Sequence, residues 1–178
     1  MKPLRNRLAD NDPDAFVELY EEFADRLFRF IRYQGGVHSK ADCADIIQDV
    51  FLRLVRYRKH FLRIESVPAY LFSVTRNELR RRHASSLKVT HVDVQNREIV
   101  GISALDSADR IEQMEWVELV LSQLECGDQE ILRMKLYSGL TFREIGEVLN
   151  LPTSTVSTRY RRSIEQLQMR FANRSKCE

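Results

Sequence analysis

Residues 140–162, LTFREIGEVLNLPTSTVSTRYRR, restrict the fold of this chain more than any other stretch. Thr141 and Glu144 have the spacing of a capping box, in which two side chains satisfy the free amides at a helix start. Gly146 would allow the neighbouring helix to approach closely, and Asn150 suits the left-handed backbone of a tight turn. A proline then begins a second periodic segment. The stretch therefore predicts two short helices that meet at a turn.

The second of these helices would have one apolar and one polar face. Its apolar positions, at helical spacing, are Val156, Tyr160, Ile164 and Leu167. Outside that face lie side chains with hydroxyl or guanidinium groups, and Arg159 is near the edge of the face. These residues are Thr153, Ser154, Ser157, Thr158, Arg159, Arg161 and Arg162. In a helix-turn-helix the second helix enters the major groove of DNA, while arginines around it bind phosphates. We expect these seven residues to bind DNA, although two small helices could also pack this way without it.

The charged residues divide the chain into three blocks. Residues 1–83 carry a net charge of +4, residues 84–130 of −7 and residues 131–178 of +5. Two basic blocks around an acidic one indicate two modules that face a polyanion. A solvated surface could carry the same blocks, so charge alone does not decide between these interpretations.

Residues 85–108 lack sustained helical periodicity, and a segment of this length without structure of its own is uncommon inside a compact domain. The periodicity on either side is that of helices. We therefore predict an all-α protein with two small helical domains, residues 1–84 and residues 109–178, joined by a flexible linker at 85–108.

The first basic block carries the start and stop signals of a helical bundle. Asp12 and Pro13 are preferred types for an N-cap and a first helical position. Gly35 would end that helix, and the segment from Ser39 to Asp42 resembles a second capping box. The helix that follows has an apolar face, which includes Val55. Its opposite face carries a stripe of five residues, here called the α3 stripe: Asp45, Gln48, Asp49, Leu52 and Arg56. A solvated face would tolerate all five.

A third helix would begin near Pro68 and present polar groups on one side. The residues that project together there are Tyr70, Ser73, Arg76, Asn77 and Arg80. Guanidinium and amide groups beside an aromatic ring suit phosphate contact and base stacking. A soluble helix without a nucleic-acid partner could show the same arginines.

The order of these parts resembles a known family. ADCADIIQDVFLRLVRYRKHF, then VPAYLFSVTRNELRRR, then a linker and LTFREIGEVLNLPTSTVSTRYRRSIEQL are similar to the extracytoplasmic-function (ECF) class of bacterial RNA polymerase sigma factors. Proteins of this class have a region 2 domain and a region 4 domain. The resemblance covers nearly the whole chain, and DIIQDVFLRL is its most specific piece.

The resemblance implies roles for the surfaces described above. The α3 stripe would bind the clamp helices of the polymerase β′ subunit. The loop matching His60–Val67 would capture an unstacked base of the −10 element, so Phe61 and Arg63 would join the third helix in binding DNA. Residues 153–162 would recognise the −35 element, and their domain would contact the β flap. The linker would run toward the polymerase active-site cleft, and an anti-sigma factor is a common further partner.

Three positions depart from the family pattern. Arg81 stands where many members have an acidic residue, Ser157 where lysine is frequent, and Asn150 where glycine is frequent. None of these changes threatens the fold. They do make it harder to infer the promoter sequence that this chain recognises from the promoters of its relatives.

Two other functions compete with a sigma factor. A stand-alone helix-turn-helix regulator would bind duplex DNA by itself, usually as a dimer on a palindrome. An enzyme is the third hypothesis, but the four histidines are scattered and no glycine-rich phosphate loop occurs. We therefore expect no catalytic residue, no cofactor and no metal.

The chain is expected to work in the cytoplasm. Its three cysteines, Cys43, Cys126 and Cys177, share no metal-ligand spacing and fit a reducing compartment. The sequence contains no run of about 18 apolar residues, so we expect no membrane span. The N-terminal residues lack the apolar segment of a secretory signal.

Overall fold

A computed structural model describes residues 3–35, 37, 39–86 and 108–174. In these ranges every regular element is a helix, as predicted. The chain divides into two compact units, with the division at residue 100. The predicted linker lies almost entirely outside the described residues, so its flexibility and the exact domain boundaries stay predictions.

The described part of the first unit begins with a short helix and continues with three longer ones. Its elements are α1 (Leu4–Ala9), α2 (Pro13–Gly35), α3 (Lys40–Arg56), a 3₁₀ segment (Arg58–Leu62) and α4 (Val67–Ser86). The two predicted helix starts are confirmed. Asp12 Oδ1 accepts a hydrogen bond from the Asp14 amide at 3.1 Å, and Ser39 Oγ accepts one from the Asp42 amide at 3.4 Å.

Aromatic rings and leucines from α2, α3 and α4 form the core of the first unit. Phe30 and Phe72 meet edge to face, with ring centroids 5.2 Å apart. Cys43 on α3 is buried, and burial raises the pKa of its thiol to about 11, so it acts as a small apolar residue. The inward placement of Val55 was wrong, since this side chain is 38% exposed. The buried stripe is centred on Cys43, Ile46, Val50 and Leu54, and Val55 lies about 100° beyond Leu54 around the helix.

The second unit contains the predicted helix-turn-helix. Its elements, within the described residues, are α5 (Ala108–Leu121), α6 (Cys126–Ser138), α7 (Phe142–Leu149) and α8 (Thr153–Arg174). The capping box of α7 is complete. The Glu144 amide donates to Thr141 Oγ1 at 3.2 Å, and the Thr141 amide donates to Glu144 Oε2 at 2.8 Å. Gly139 and Asn150 end α6 and α7 in the left-handed region, with φ of 62° and 55°.

Two glycines of the second unit have roles that differ from those predicted. A Cβ on Gly146 would lie 2.7 Å from the Leu151 carbonyl oxygen, so this glycine makes room for the turn and not for a neighbouring helix. From the sequence alone, Gly127 followed by Asp128 indicates a turn and the cap of a new helix. Instead α6 already begins at Cys126, and Gly127 lies in its first turn.

The core of the second unit joins α5, α6 and α8. Its buried members are Val120, Leu121, Leu124, Leu132 and Leu167. Val117, Tyr160 and Ile164 pack against them, so the predicted apolar face of α8 is confirmed. Among the described helices, none combines the length and the apolar character needed to cross a membrane.

Candidate polymerase and nucleic-acid interfaces

The α3 stripe lies on the surface of the first unit. All five of its residues are exposed, and Leu52 in the middle has 62% of its surface accessible. Leu52 lies between Asp49 and Arg56, so the stripe has an apolar anchor with charge of both signs beside it and a net charge of −1. Such a surface can bind a partner that offers apolar and basic groups.

One carboxylate of the α3 stripe already has a partner within the chain. Asp49 forms an ion pair with Arg82 of α4, and the Arg82 Nε also donates to Glu78 Oε1 at 3.0 Å. Both members of the Asp49–Arg82 pair are partly exposed to solvent, so this pair contributes little to stability by itself. It does place a predicted polymerase contact beside the arginine-rich end of α4.

Glu78 is the centre of this charged network and was missed by the sequence reasoning. It is only 4% exposed and accepts hydrogen bonds from Arg81 at 2.6 and 3.0 Å. Arg53 of α3 approaches the same carboxylate at 3.5 Å. The hydrogen bonds from Arg81 and Arg82 lower the pKa of Glu78, although burial opposes them. The signal in the sequence was an acid followed at the third and fourth positions by arginine, a spacing that pairs side chains along a helix.

The predicted −10 contacts on α4 lie along one part of its surface. Asn77 and Arg80 are exposed, and the half-buried members of the set are Tyr70, Ser73 and Arg76. Arg63, just after the 3₁₀ segment, is exposed as well. The structure thus leaves these polar groups accessible. Whether they touch DNA stays a prediction.

Phe61 is the exception among the predicted −10 contacts. Its side chain is fully buried, with its ring edge to face against Phe16 at 6.4 Å and against Tyr70 at 5.5 Å between centroids. In this structure the ring is a core residue that anchors the 3₁₀ segment, and it offers no surface to a base. The sequence pattern could not separate this role from stacking, because both use an aromatic residue in a loop.

Two exposed rings, those of Tyr57 and His60, lie close to Phe61 in the sequence. Tyr57 and His60 lie nearly parallel, with centroids 5.9 Å apart and an interplanar angle of 18°. The Tyr70 hydroxyl lies 3.4 Å from His60 Nδ1. Tyr57 is 47% exposed. The resemblance had placed His60 in the base-capturing loop, but Tyr57 was passed over, although an aromatic residue within the arginine-rich RYRKHF is itself a signal for nucleic-acid binding.

The N-terminal half of α8 presents most of the predicted −35 contacts to solvent. The exposed members are Thr153, Ser154, Thr158, Arg161 and Arg162. Ser157 is half-buried and donates its hydroxyl hydrogen to the Ser154 carbonyl at 3.0 Å. The Arg161 guanidinium is 3.8 Å from the Glu165 carboxylate, a loose pair on an exposed face that leaves it available to a phosphate.

Arg159 is the member of the predicted −35 set that the structure assigns elsewhere. Its Nε donates to Asp128 Oδ1 at 2.6 Å, and its guanidinium lies over Gly127. The arginine therefore holds α8 against the first turn of α6, where a Cβ on residue 127 would approach within 2.6 Å of it. A DNA contact from Arg159 would have to break this partly buried ion pair.

Comparison with known proteins places both units in one family. A model of sigma-70 region 2 matches residues 19–87, and a model of sigma-70 region 4 matches residues 120–169. The ECF RNA polymerase sigma factor BldN of Streptomyces coelicolor is 27% identical over 94% of this chain, which spans 64% of the length of BldN. SigW of Bacillus subtilis is 24% identical, with 88% of this chain and 89% of SigW covered. RpoE of Cereibacter sphaeroides is 28% identical, with 90% and 88% covered.

A solved structure shares the fold. CnrH, determined in complex with the cytosolic domain of CnrY, has a TM-score of 0.66 at 20% identity and covers 96% of both chains. The two matched regions define a two-domain, all-α sigma factor. The chain belongs to the sigma-70 family, in its extracytoplasmic-function class. Proteins of this family bind RNA polymerase and direct it to promoters, and they are not enzymes.

Proposed function

We propose that this chain binds core RNA polymerase and directs promoter recognition and transcription initiation. The observation that carries the proposal is the presence of two different exposed surfaces in one chain. The α3 stripe, within the region 2 match, suits a protein partner, and the polar face of α8, within the region 4 match, suits duplex DNA. A protein with both can connect a polymerase to a promoter.

The α3 stripe is proposed to contact the clamp helices of the β′ subunit. Leu52 would enter an apolar depression, while Asp45 and Asp49 would face basic groups around it. Because Asp49 pairs with Arg82 in the free protein, a basic residue of the polymerase would compete with Arg82 for this carboxylate.

The −10 element is proposed to meet the 3₁₀ segment and α4. Arg63, Asn77 and Arg80 would contact backbone and base edges, while the exposed rings of Tyr57 and His60 would stack on an unpaired base. Extruding a base costs a few kcal/mol, and stacking on an aromatic ring returns about 1–3 kcal/mol per base. Binding energy alone can therefore favour the melted promoter, without any catalytic group.

The −35 element is proposed to meet the N-terminal half of α8. Ser154 and Thr158 are placed on the exposed face where a recognition helix contacts base edges, and Arg161 and Arg162 follow with positive charge. The domain that carries α8 would also rest on the β flap. The chain would act in the cytoplasm, together with the polymerase. An anti-sigma factor could control it there by binding to it.

The linker, residues 85–108, is proposed to extend toward the active-site cleft of the polymerase. The linker itself has a net charge of −1, and residues 109–130 after it have −6, so the linker together with the following helix could imitate nucleic acid there. Deleting residues 88–100 should lower initiation without changing capture of the polymerase. Unchanged initiation would contradict this part of the proposal.

Capture of core polymerase separates the proposal from the stand-alone regulator. The tagged chain should retain purified core polymerase, and Leu52→Glu or Asp45→Arg should weaken retention by about tenfold or more, the loss typical of a buried contact. Glu22→Arg, a charge reversal at an exposed site on α2, is the matched control and should retain it normally. Asp49→Arg also breaks the Asp49–Arg82 ion pair, so its retention of polymerase should be compared with that of Arg82→Ala, which breaks the same pair and keeps Asp49.

The opposite result would favour the regulator. A chain that fails to retain active core polymerase, but binds a palindromic duplex as a dimer, would be a stand-alone helix-turn-helix protein. Circular dichroism of each variant should match that of the unsubstituted chain, so that loss of retention reports on the surface and not on folding.

A further inference from the structure

The short helix α1 has a packing arrangement that its length does not explain. It lies before residues 19–87, the region 2 match, and has only 6 residues. Yet Leu8 and Ala9 are fully buried. The element that α1 packs against most extensively is the 3₁₀ segment, and it also contacts α2. An isolated helix of this length is not stable in water, so its order depends on these contacts.

Charged groups fix α1 to the start of α2. The Arg7 guanidinium donates to Asp12 Oδ2 at 2.8 Å and to Glu18 Oε2 at 2.7 Å. The hydrogen bond from Arg7 lowers the pKa of Asp12, which also caps α2. Asn11 makes the turn between the helices with φ of 64°. Arg5 reaches beyond the 3₁₀ segment to the Ile64 carbonyl at 3.5 Å, a long contact that adds little.

The 3₁₀ segment needs support of this kind. Two of its backbone hydrogen bonds, from the amides of His60 and Arg63, span three residues, and such turns are weak on their own. Phe61 is its buried anchor. Of its other side chains, Arg58 is half-buried, whereas Lys59, His60 and Leu62 are exposed, as is Arg63 just after the segment. The segment is therefore held from within by Phe61 and α1 while it presents aromatic and cationic groups outward.

We propose that α1 is a positioning element for the −10-binding surface: it holds the 3₁₀ segment in the shape that presents Tyr57 and His60 to an unstacked base. The inference rests on the proposed function, because it assigns α1 a role in that same contact. Leu8 is the residue that transmits the effect. It does not touch DNA, and it acts through the segment that does.

The test compares two buried leucines of the same unit in the full-length chain. Leu8→Ala removes a fully buried side chain of α1, the helix that packs on the 3₁₀ segment, whereas Leu27→Ala removes an equally buried leucine of α2. Each variant is assembled with core polymerase and titrated with a fork-junction probe, whose single-stranded −10 segment comes from a promoter mapped with the unsubstituted chain. Hydrogen exchange of the His60 and Arg63 amides is measured in the free protein, without DNA.

Leu8→Ala is expected to weaken fork-junction binding by about tenfold, the loss that follows when two side chains must be ordered during binding and not beforehand. Its His60 and Arg63 amides should exchange faster than in Leu27→Ala. Core capture and binding of −35 duplex should be unchanged in both. Leu8→Met, which nearly conserves the side-chain volume, should bind the fork junction about as tightly as the unsubstituted chain.

Two results would overturn the inference. One is fork-junction binding by Leu8→Ala that equals that of Leu27→Ala, measured below the melting temperature of both. The other is equal amide exchange in the two variants. Failure of the proposed function is distinguishable, since no promoter could then be mapped with the unsubstituted chain, whereas the exchange comparison needs no promoter and would still report on α1.

Discussion

Glu78 is the single residue whose chemistry most affects the first unit. Three arginines lie within 3.5 Å of its buried carboxylate, and the hydrogen bonds from two of them, Arg81 and Arg82, lower its pKa. A carboxylate with a lowered folded pKa contributes stability that is complete above its ordinary pKa, about 4.3, and is lost as the pH falls through the folded pKa. The network should therefore stabilise the unit at neutral pH and stop doing so in acid.

Glu78→Gln tests this linkage. At pH 7 the substitution should lower the free energy of unfolding by about 1–3 kcal/mol, because charged hydrogen bonds are lost and three arginines lose their shared acid. The gap in the free energy of unfolding between the variant and the unsubstituted chain should be smaller at pH 3 than at pH 7, because the unfolded chain, whose glutamate has the ordinary pKa, binds the proton before the folded chain does. Urea unfolding at both pH values measures it. Glu21→Gln, at an exposed site on α2, should change stability by less than about 0.5 kcal/mol at either pH. A gap that stays the same at pH 3 would contradict the lowered pKa.

Arg159 and Arg161 are two arginines of one helix with different surroundings. Arg159→Ala should destabilise the chain by about 1–2 kcal/mol, because Asp128 loses its partner in a partly buried site. Arg161→Ala should leave stability nearly unchanged and reduce the slope of log binding constant against log salt by about one unit on duplex containing the −35 element. Arg162→Ala should do the same if Arg162 also binds a phosphate. Equal salt slopes for Arg161→Ala and the unsubstituted chain, with a reduced slope for Arg159→Ala, would reverse the assignment.

At the scale of elements, the turn between α7 and α8 depends on the absence of a side chain at Gly146. A Cβ there would be 2.7 Å from the Leu151 carbonyl oxygen, which belongs to the backbone and cannot move without shifting the start of α8. Gly146→Ala should cost about 1–3 kcal/mol, the typical cost of overpacking, and should weaken binding to the −35 duplex.

Gly127→Ala is the matched control for this prediction. Its Cβ would also be close to a neighbour, at 2.6 Å, but that neighbour is the flexible end of Arg159. Because a side chain can move aside and alanine favours a helix over glycine, the cost should be clearly smaller than at Gly146. Thermal unfolding of both variants gives the comparison. Equal losses would show that the turn backbone is not the limiting contact.

The elements that sequence reasoning predicted are those set by local chemistry. The capping box at Thr141 and the left-handed Asn150 each depend on residues within one turn, so their positions could be read directly. Gly127 was misinterpreted because only local chemistry was considered: a glycine usually marks a break in a helix. The long-range contact with Arg159 is what favours a glycine at this position inside α6.

The site residues whose surroundings were not predicted depend on tertiary contacts. Phe61 and Arg159 have the residue types that bind nucleic acid, and nothing in their immediate sequence shows that one is buried and the other paired with Asp128. Glu78 was overlooked because a carboxylate in a basic helix looks like a surface residue until the packing of α3 on α4 buries it. Local patterns thus predict which helix faces the partner, whereas packing decides which side chains remain available.

At the scale of the whole molecule, the chain presents two surfaces that suit binding, the α3 stripe and the polar face of α8. Its function is proposed to arise from two surfaces that each have modest affinity and act together through one polymerase. Linked contacts of this kind bind more tightly than either alone, provided that both can be reached at once. A substitution that disrupts either surface should therefore reduce transcription initiation more strongly than it reduces binding of the corresponding partner, core polymerase or the −35 duplex, measured by itself.

Run-off transcription with purified core polymerase tests the central claim most directly. Adding the chain to active core polymerase and genomic fragments of its source should produce discrete transcripts, and mapping their 5′ ends should reveal a shared pair of upstream elements. Leu52→Glu should abolish these transcripts, whereas Glu22→Arg should preserve them. Absence of any specific initiation, with a core polymerase that initiates normally with another sigma factor, would contradict the assignment of this chain as a promoter-specificity factor.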